Sequence, residues 1–267
     1  MTLINAFVLG IIQGLTEFIP VSSTAHLLIA QHIMGLPVDD AAFAFNVLIQ
    51  LGTTLALIIY FWNDLVALVR AFFARPFSTP ENRLAWYIII ATIPALLAGV
   101  LFNNLVQGLF KMPLLEAAIR LLSAAALLFA AERLGKRFRS LEAITWLDGL
   151  IIGLFQVLAV FPGASRSGTT ISGGMLRGFD RPAAARFAFL MSVPVLLAAG
   201  AYETRDVIKL PHVGTFLPAL AVGFIVAAIV GWLSIKWLLN YLNKNSLYVF
   251  ATYCAVVGVL CLLFLFI

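Results

Sequence analysis

A carboxylate, a histidine, an arginine and a run of hydroxyls sit in two short segments of an otherwise apolar chain. The first segment holds Gln13, Glu17, Pro20, Ser22, Ser23, Thr24 and His26. The second holds Gln156, Pro162, Gly163, Ser165, Arg166, Ser167, Gly168, Thr169 and Thr170. Groups of this kind are costly inside hydrocarbon, so at membrane depth they mark a functional site. Their types suit a phosphate, and the two segments look like two halves of one site.

Gln13 and Glu17 are four residues apart and project from one helix face. They serve either as a polar seam between helices or as a place to hold a divalent cation or steer a proton. Mg²⁺ often takes only one or two carboxylates, with substrate phosphate oxygens completing its shell. Ser22, Ser23 and Thr24 fall where a second short helix begins. One of them is expected to cap that helix. The same terminus offers free N–H groups and a positive dipole end to an anion. His26 follows Ser23 by three residues, on the same side of the first turns, where an imidazole activates a hydroxyl or protonates a leaving oxygen. It also reads as a structural histidine.

The second segment is the more specific of the two. Gly163 lets backbone approach an anion closely, and Ser165, Ser167 and Thr170 surround it with hydroxyls. Arg166 brings a rigid fork matched to phosphate oxygens. The plainer reading is a capping turn whose arginine pairs with a carboxylate such as Glu17. Both readings hold together if the pair separates when a substrate arrives.

The elements that carry these segments follow from composition. The 267 residues are 63% hydrophobic and 11% charged, with a mean hydropathy of +1.05, far from the roughly 25% charged of soluble domains. The sequence predicts an all-α integral membrane protein. Six apolar stretches reach the roughly 20 residues a span needs, near 41–69, 85–104, 113–133, 182–203, 214–238 and 246–266. The first is long for one span. The N-terminus has no basic leader and carries Gln13 and Glu17, unlike a cleavable signal peptide. Cys254 and Cys261 share one face of the last helix and suggest no disulfide framework. The net charge of +5 fits membrane topology, and no nucleic-acid motif is present.

Lysines and arginines mark cytoplasmic loops. Eleven cluster after the first, third and fifth spans and before the fourth, against three on the opposite side (Lys111, Arg205 and Lys209). Both termini are then expected outside. The polar segments do not fit as full spans, because proline ends a preceding helix. Residues 3–34 and 144–177 are expected to be re-entrant hairpins, which survive only where protein or water covers them. Gly14 and Glu17 align with Gly153 and Gln156, Pro20–Ser23 align loosely with Pro162–Ser165, and Phe45 and Leu48 align with Phe187 and Leu190. The chain thus reads as one membrane domain made of two inverted repeats, residues 1–135 and 140–267. Each has one hairpin and three spans, and the hairpin tips meet near mid-membrane.

At these residues the chain resembles the undecaprenyl pyrophosphate phosphatase family, the membrane phosphatases linked to bacitracin resistance. The family's (Glu/Gln)-x-x-x-Glu motif matches Gln13 and Glu17. Its Pro-Val-Ser-Ser-Thr-x-His segment matches Pro20 to His26. Its Pro-Gly-x-Ser-Arg-Ser-x-x-Thr motif matches Pro162, Gly163, Ser165, Arg166, Ser167 and Thr170. Position 13 is the uncharged variant, so a metal or proton role falls mainly on Glu17. The resemblance implies that undecaprenyl diphosphate loses its terminal phosphate, with Mg²⁺ or Ca²⁺ as cofactor, and so recycles a carrier lipid for cell-wall synthesis. It implies a multi-pass protein of the bacterial plasma membrane, and the orientation expected from the basic loops opens the first hairpin, and with it the active site, to the outer face. The expected partners are the polyprenyl diphosphate, membrane lipids and a second copy in a homodimer.

On that implication, Glu17 with Gln13 would hold the metal, and Ser22, Thr24, Gly163, Ser165, Ser167 and Thr170 would line the phosphates. Arg166 would clamp them, Ser23 would attack the terminal phosphorus or position a water, and His26 would move the proton. Phosphoryl transfer depends mainly on positioning and charge stabilisation, so this set is sufficient. The rival reading is a transporter that flips the carrier lipid, since inverted repeats with broken helices also build transporters. The discriminator is the trio Ser23, His26 and Arg166, because an anion clamp alone needs no nucleophile beside a histidine.

Overall fold

The computed structural model describes residues 1–37, 40–74, 76–108, 112–160, 164–207 and 217–265. Among them the chain is helical, with no strands beyond one isolated bridge between Arg139 and Phe179. The order is α1 (Leu3–Thr16), α2 (Ser23–Ile33), α3 (Asp40–Tyr60), α4 (Trp62–Phe72), α5 (Pro80–Gly108) and α6 (Pro113–Leu134). A 3₁₀ turn (Leu141–Ala143) leads into α7 (Trp146–Val157), α8 (Arg166–Leu176), α9 (Arg181–Val207), α10 (Leu217–Leu242) and α11 (Tyr248–Leu263).

Five of these helices contain stretches long and apolar enough to cross a bilayer: Ala41–Tyr60, Pro80–Phe102, Pro113–Leu134, Arg181–Tyr202 and Leu217–Leu242. The sixth expected span is α11, apolar but shorter at 16 residues. The long first stretch divides at Phe61 into α3 and the more amphipathic α4. Large apolar side chains such as Ile4, Ile33, Val100 and Leu101 stand on the outside of the bundle. Water would not tolerate an apolar surface on this scale, whereas lipid covers it. The protein is an all-α integral membrane protein.

The two polar segments fold as helix–break–helix units, α1–α2 and α7–α8, at the places the prolines indicate. Each unit docks through a small-residue pair spaced by four. On α1, a Cβ at Gly10 would lie 2.7 Å from the Gly223 carbonyl oxygen, and one at Gly14 would lie 2.7 Å from Val230 Cβ, both on α10. On α7, a Cβ at Gly149 would lie 2.8 Å from the Tyr87 carbonyl oxygen, and one at Gly153 would lie 2.4 Å from that of Ala91, both on α5. Lipid tails are as apolar as leucine, so close backbone approach over small residues is what joins such helices. α1 thus packs on α10, and α7 on α5, in the same manner.

The basic end of the second unit is fastened by two buried carboxylates. Asp148 receives both Arg139 nitrogens at 3.0 and 2.6 Å, Arg177 Nε at 2.8 Å, and the Thr145 N–H and hydroxyl at 2.9 and 2.7 Å. Burial by itself would raise the Asp148 carboxyl. The donors from Arg139, Thr145 and Arg177 outweigh it and hold the group well below the usual carboxylate range. Glu132 on α6 accepts from Arg137, from Arg181 Nε at 3.1 Å and from the Leu247 N–H at 3.0 Å. These contacts tie α6, the α7–α8 unit, α9 and α11 to one another. Sequence inspection assigned neither acid a role. Their signal was two isolated carboxylates beside an arginine-rich loop.

Candidate active site

The two helical breaks meet. Arg166, the first residue of α8, forms an ion pair with Glu17 at the end of α1, 149 residues away in sequence. Ser167 reaches the same way, its hydroxyl directed at the Ile19 carbonyl oxygen at 3.5 Å. Glu17 is the hub. Its Oε2 accepts from Gln13 Nε2 at 2.9 Å and from the Ser23 hydroxyl at 2.7 Å. Gln13 Nε2 also lies 3.3 Å from the Thr53 hydroxyl on α3. Thr53 is a supporting residue that sequence inspection missed, since a lone threonine in an apolar helix carries no signal.

Burying this carboxylate is affordable only because every donor around it is in place. Glu17 keeps 6% of its surface and Gln13 only 1%, and an unpaired charge at such depth would be neutralised instead. The arginine also explains how the serine is set. Arg166 engages one carboxylate oxygen, and the other is left to orient the Ser23 hydroxyl.

The backbone before Ser23 is unusual. Ser22 has a φ of 68°, a left-handed conformation rare for a residue with a side chain. Strain of this kind costs about 1–3 kcal/mol and persists where surrounding structure imposes it. No side chain caps α2 at Ser22. Capping by Ser22, Ser23 or Thr24 was expected; instead Ser23 turns to Glu17, and Thr24 is exposed. The first turn of α2 keeps its N–H groups for another acceptor. At the second unit the expected cap does form, with Ser165 Oγ accepting from the Gly168 N–H at 3.2 Å.

Other predicted residues are placed differently from expectation. His26 does not face Ser23. Its Nδ1 lies 2.8 Å from the Ser22 carbonyl oxygen and its Nε2 lies 2.8 Å from the Tyr253 hydroxyl on α11. Thr170 is buried, and its hydroxyl donates to the Arg166 carbonyl at 2.8 Å within its own helix. Ser165 and Ser167 lie side by side, their hydroxyl oxygens 3.3 Å apart. Gly163 and Pro162 lie outside the described residues. The tips therefore bring together Gln13, Glu17, Ser23, Arg166 and Ser167. His26 stands one turn along α2 with a partner of its own.

Gln156, aligned with Glu17 in the internal repeat, is buried to 1% exposure, and neither of its amide atoms has a hydrogen-bond partner among the described residues. Cys254 Sγ approaches the Pro20 carbonyl oxygen at 3.8 Å. The last helix thus touches the first break at Pro20 as well as at His26. Both cysteines are buried and unbridged.

As a metal centre the donor set is thin. Among the described residues no three acidic, histidine or cysteine side chains cluster, and Glu17 is the sole carboxylate in the hydrogen-bonded group at the tips. The Gln13 amide turns its nitrogen to Glu17, leaving its oxygen as a further hard donor. Such a pair fits a cation that arrives with phosphate oxygens already in its shell. It does not fit one held by protein alone.

Inside an apolar helical bundle, two broken helices thus meet around a buried carboxylate, with a serine and an arginine on its oxygens. The chain belongs to the family described as bacitracin resistance protein BacA, which matches residues 6–260. It is 46% identical over 265 residues to an undecaprenyl-diphosphatase of Anaeromyxobacter dehalogenans, covering 97% of this chain and 90% of that protein. Undecaprenyl-diphosphatases of Myxococcus xanthus (41% over 270 residues, 99% of this chain and 90% of that protein) and Methanobrevibacter smithii (39% over 272 residues, 97% and 96%) are similar over most of their length.

Proposed function

We propose that this protein hydrolyses undecaprenyl diphosphate to undecaprenyl phosphate and inorganic phosphate. The observation that carries the reading is the Ser23–Glu17–Arg166 arrangement: a hydroxyl aimed at a carboxylate whose other oxygen is held by an arginine. A lipid clamp needs the arginine but has no use for an activated serine.

The chemistry follows from these positions. The diphosphate draws Arg166 from Glu17 onto its oxygens, beside the uncapped first turn of α2, where N–H groups and the helix dipole favour an anion. Released from its cation, Glu17 is a stronger base and takes the Ser23 proton across their 2.7 Å hydrogen bond. The serine oxygen bonds to the terminal phosphorus as the anhydride P–O bond breaks, and undecaprenyl phosphate leaves with the electron pair. Water then attacks the phosphoserine, its proton passes to the His26 side of the site, and the serine oxygen recovers a proton from Glu17. A divalent cation, Mg²⁺ or Ca²⁺, would be held by Glu17 and the Gln13 amide oxygen together with the phosphates. Such an ion would neutralise charge on the transferred group.

The architecture belongs to the same proposal. Six spans, with α11 as the short last one, and two re-entrant units make an inverted repeat. The matched glycine docking of α1 on α10 and α7 on α5 supports this pairing. The basic loops support an orientation with Glu132 and Asp148 at the cytoplasmic end, both termini outside, and the α1–α2 side open to the outer face of the plasma membrane.

The test is phosphate release from undecaprenyl diphosphate by detergent-purified protein, with and without EDTA, beside Glu17→Ala and Ser23→Ala. Release that stops with EDTA and in both variants supports the scheme. A Ser23→Ala variant with near-normal turnover removes the covalent step and leaves water as the nucleophile. Wild-type protein that is folded yet inactive overturns the phosphatase reading.

A further inference from the structure

The last helix supplies a residue that the reaction scheme has not used. Tyr253 on α11 meets His26 across 227 residues of sequence. The two rings are nearly parallel, 8° apart, with centroids separated by 5.6 Å. The hydroxyl lies 2.8 Å from Nε2.

The direction of each hydrogen bond is fixed by elementary bookkeeping. The Ser22 carbonyl oxygen has no proton to give, so His26 Nδ1 at 2.8 Å must carry one and donate it. A neutral imidazole then has its lone pair at Nε2. The Tyr253 hydroxyl is therefore the donor to Nε2. His26 gains a proton only at Nε2, and the atom already there is the tyrosine oxygen. That oxygen retains lone pairs, and Tyr253 keeps 44% of its surface.

We infer that Tyr253 is the proton relay between the reacting phosphate and His26. As water attacks the phosphoserine, its proton moves to the tyrosine oxygen while the phenol proton moves to Nε2. One O–H bond forms on Tyr253 as another breaks, so the residue stays a neutral phenol. Imidazolium is the product, and it returns its proton to solvent after phosphate leaves. The geometry also explains why His26 faces away from Ser23. Glu17 already serves the serine, and the histidine serves the second half of the reaction. Cys254, the next residue, contacts the Pro20 carbonyl and anchors this part of α11 to the same break.

This inference rests on the phosphatase reading, and the experiment separates the two. Turnover of undecaprenyl diphosphate is measured for wild type, Tyr253→Phe, His26→Asn and the double variant. Tyr253→Phe keeps the ring stack and removes the hydroxyl. It is expected to lower kcat by about tenfold or more, in the range of a lost proton-transfer group, with KM changed less than about twofold. In the His26→Asn background the same change is expected to cost nothing further. The chain has 3 histidines, so ¹⁵N-histidine labelling gives a readout independent of turnover. The non-protonated Nε2 resonance of His26 is expected to shift when the tyrosine donor is removed. Inactive wild type fails the parent reading. Active wild type with Tyr253→Phe at full kcat, or with equal losses in both backgrounds, overturns the relay, as does an unmoved Nε2 resonance.

Discussion

Neutralising the Arg166–Glu17 pair one partner at a time separates what the pair contributes to stability from what it contributes to turnover. The side chains are unequally covered, with 20% exposure for Arg166 and 2% for Glu17. In Arg166→Gln the carboxylate stays buried and keeps only the neutral donors Gln13 and Ser23. Orphaning a buried ion costs about 3–5 kcal/mol, and the two surviving hydrogen bonds favour the lower end. In Glu17→Gln the guanidinium keeps its partial exposure and retains an amide oxygen as acceptor, so the loss is nearer that of one hydrogen bond, about 1 kcal/mol. The double variant buries no charge. It is expected to recover about 2 kcal/mol relative to Arg166→Gln, which with the loss of about 1 kcal/mol in Glu17→Gln makes a coupling of about 3 kcal/mol, at the upper end for contacting residues. Turnover behaves differently. All three variants lack either the phosphate clamp or the base, and each is expected to lose at least a hundredfold in kcat, as when a donor aimed at developing charge is removed. Unfolding in detergent by a denaturant titration gives the first quantity, and phosphate release gives the second. A double variant less stable than Arg166→Gln would refute the buried-charge argument. Arg166→Gln retaining more than a tenth of wild-type turnover would refute the clamp.

Three further outcomes follow from particular contacts. Gly153→Ala places a Cβ about where the Ala91 carbonyl oxygen stands, 2.4 Å away. It is expected to destabilise by about 1–3 kcal/mol as α7 is pushed from α5, seen as a lowered unfolding midpoint with the KM of surviving enzyme little changed. Asp148→Asn is expected to lower stability and flatten its acid dependence. Because the folded-state carboxyl is held below its ordinary value, its contribution is complete above roughly pH 5 and is lost as the pH falls below the ordinary value toward the folded-state one; unfolding midpoints at about pH 7 and about pH 3 for both proteins check this. Gln156→Leu removes a buried amide that lacks a partner among the described residues, a burden of about 1–3 kcal/mol. It is expected to unfold at a higher midpoint but turn over more slowly, since the aligned position in the other half is Glu17.

Much of the molecule was legible because hydrocarbon is a severe solvent. Any polar cluster in a chain this apolar had to be functional or paired, which pointed to Glu17, Ser23 and Arg166 before any coordinates. Prolines near the breaks marked where α1 and α7 end. The contacts that escaped notice join residues whose types are ordinary where they stand. Thr53 and Tyr253 occur in apolar helices with no local pattern, and only the tertiary approach of α3 and α11 gives them partners. The glycine pairs at 10 and 14 and at 149 and 153 were visible as spacing. Their meaning depended on which helix they would meet. The role given to His26 shifted for a similar reason. Helical spacing put it on the Ser23 side, but a nearby carbonyl and a distant phenol compete for its nitrogens, and sequence separation hides both the competition and its outcome.

In the proposed repeat the two halves divide the work through charge. At aligned positions the first break carries Glu17 and the second carries the neutral Gln156, while the second break supplies Arg166. Glu17 and Arg166 cancel in the resting site, so neither charge is left unpaired at that depth. A second carboxylate at position 156 would be a buried charge with no hydrogen-bond partner among the described residues, and an unpaired charge at such depth is costly. On the proposed mechanism, the incoming anion meets one carboxylate, which it displaces from the arginine. In the proposed mechanism that displacement frees Glu17 to act on Ser23 only when a phosphate has taken its place, so the exchange of partners that binds the substrate also switches on the base, and the pair at rest keeps the serine unreactive in its absence.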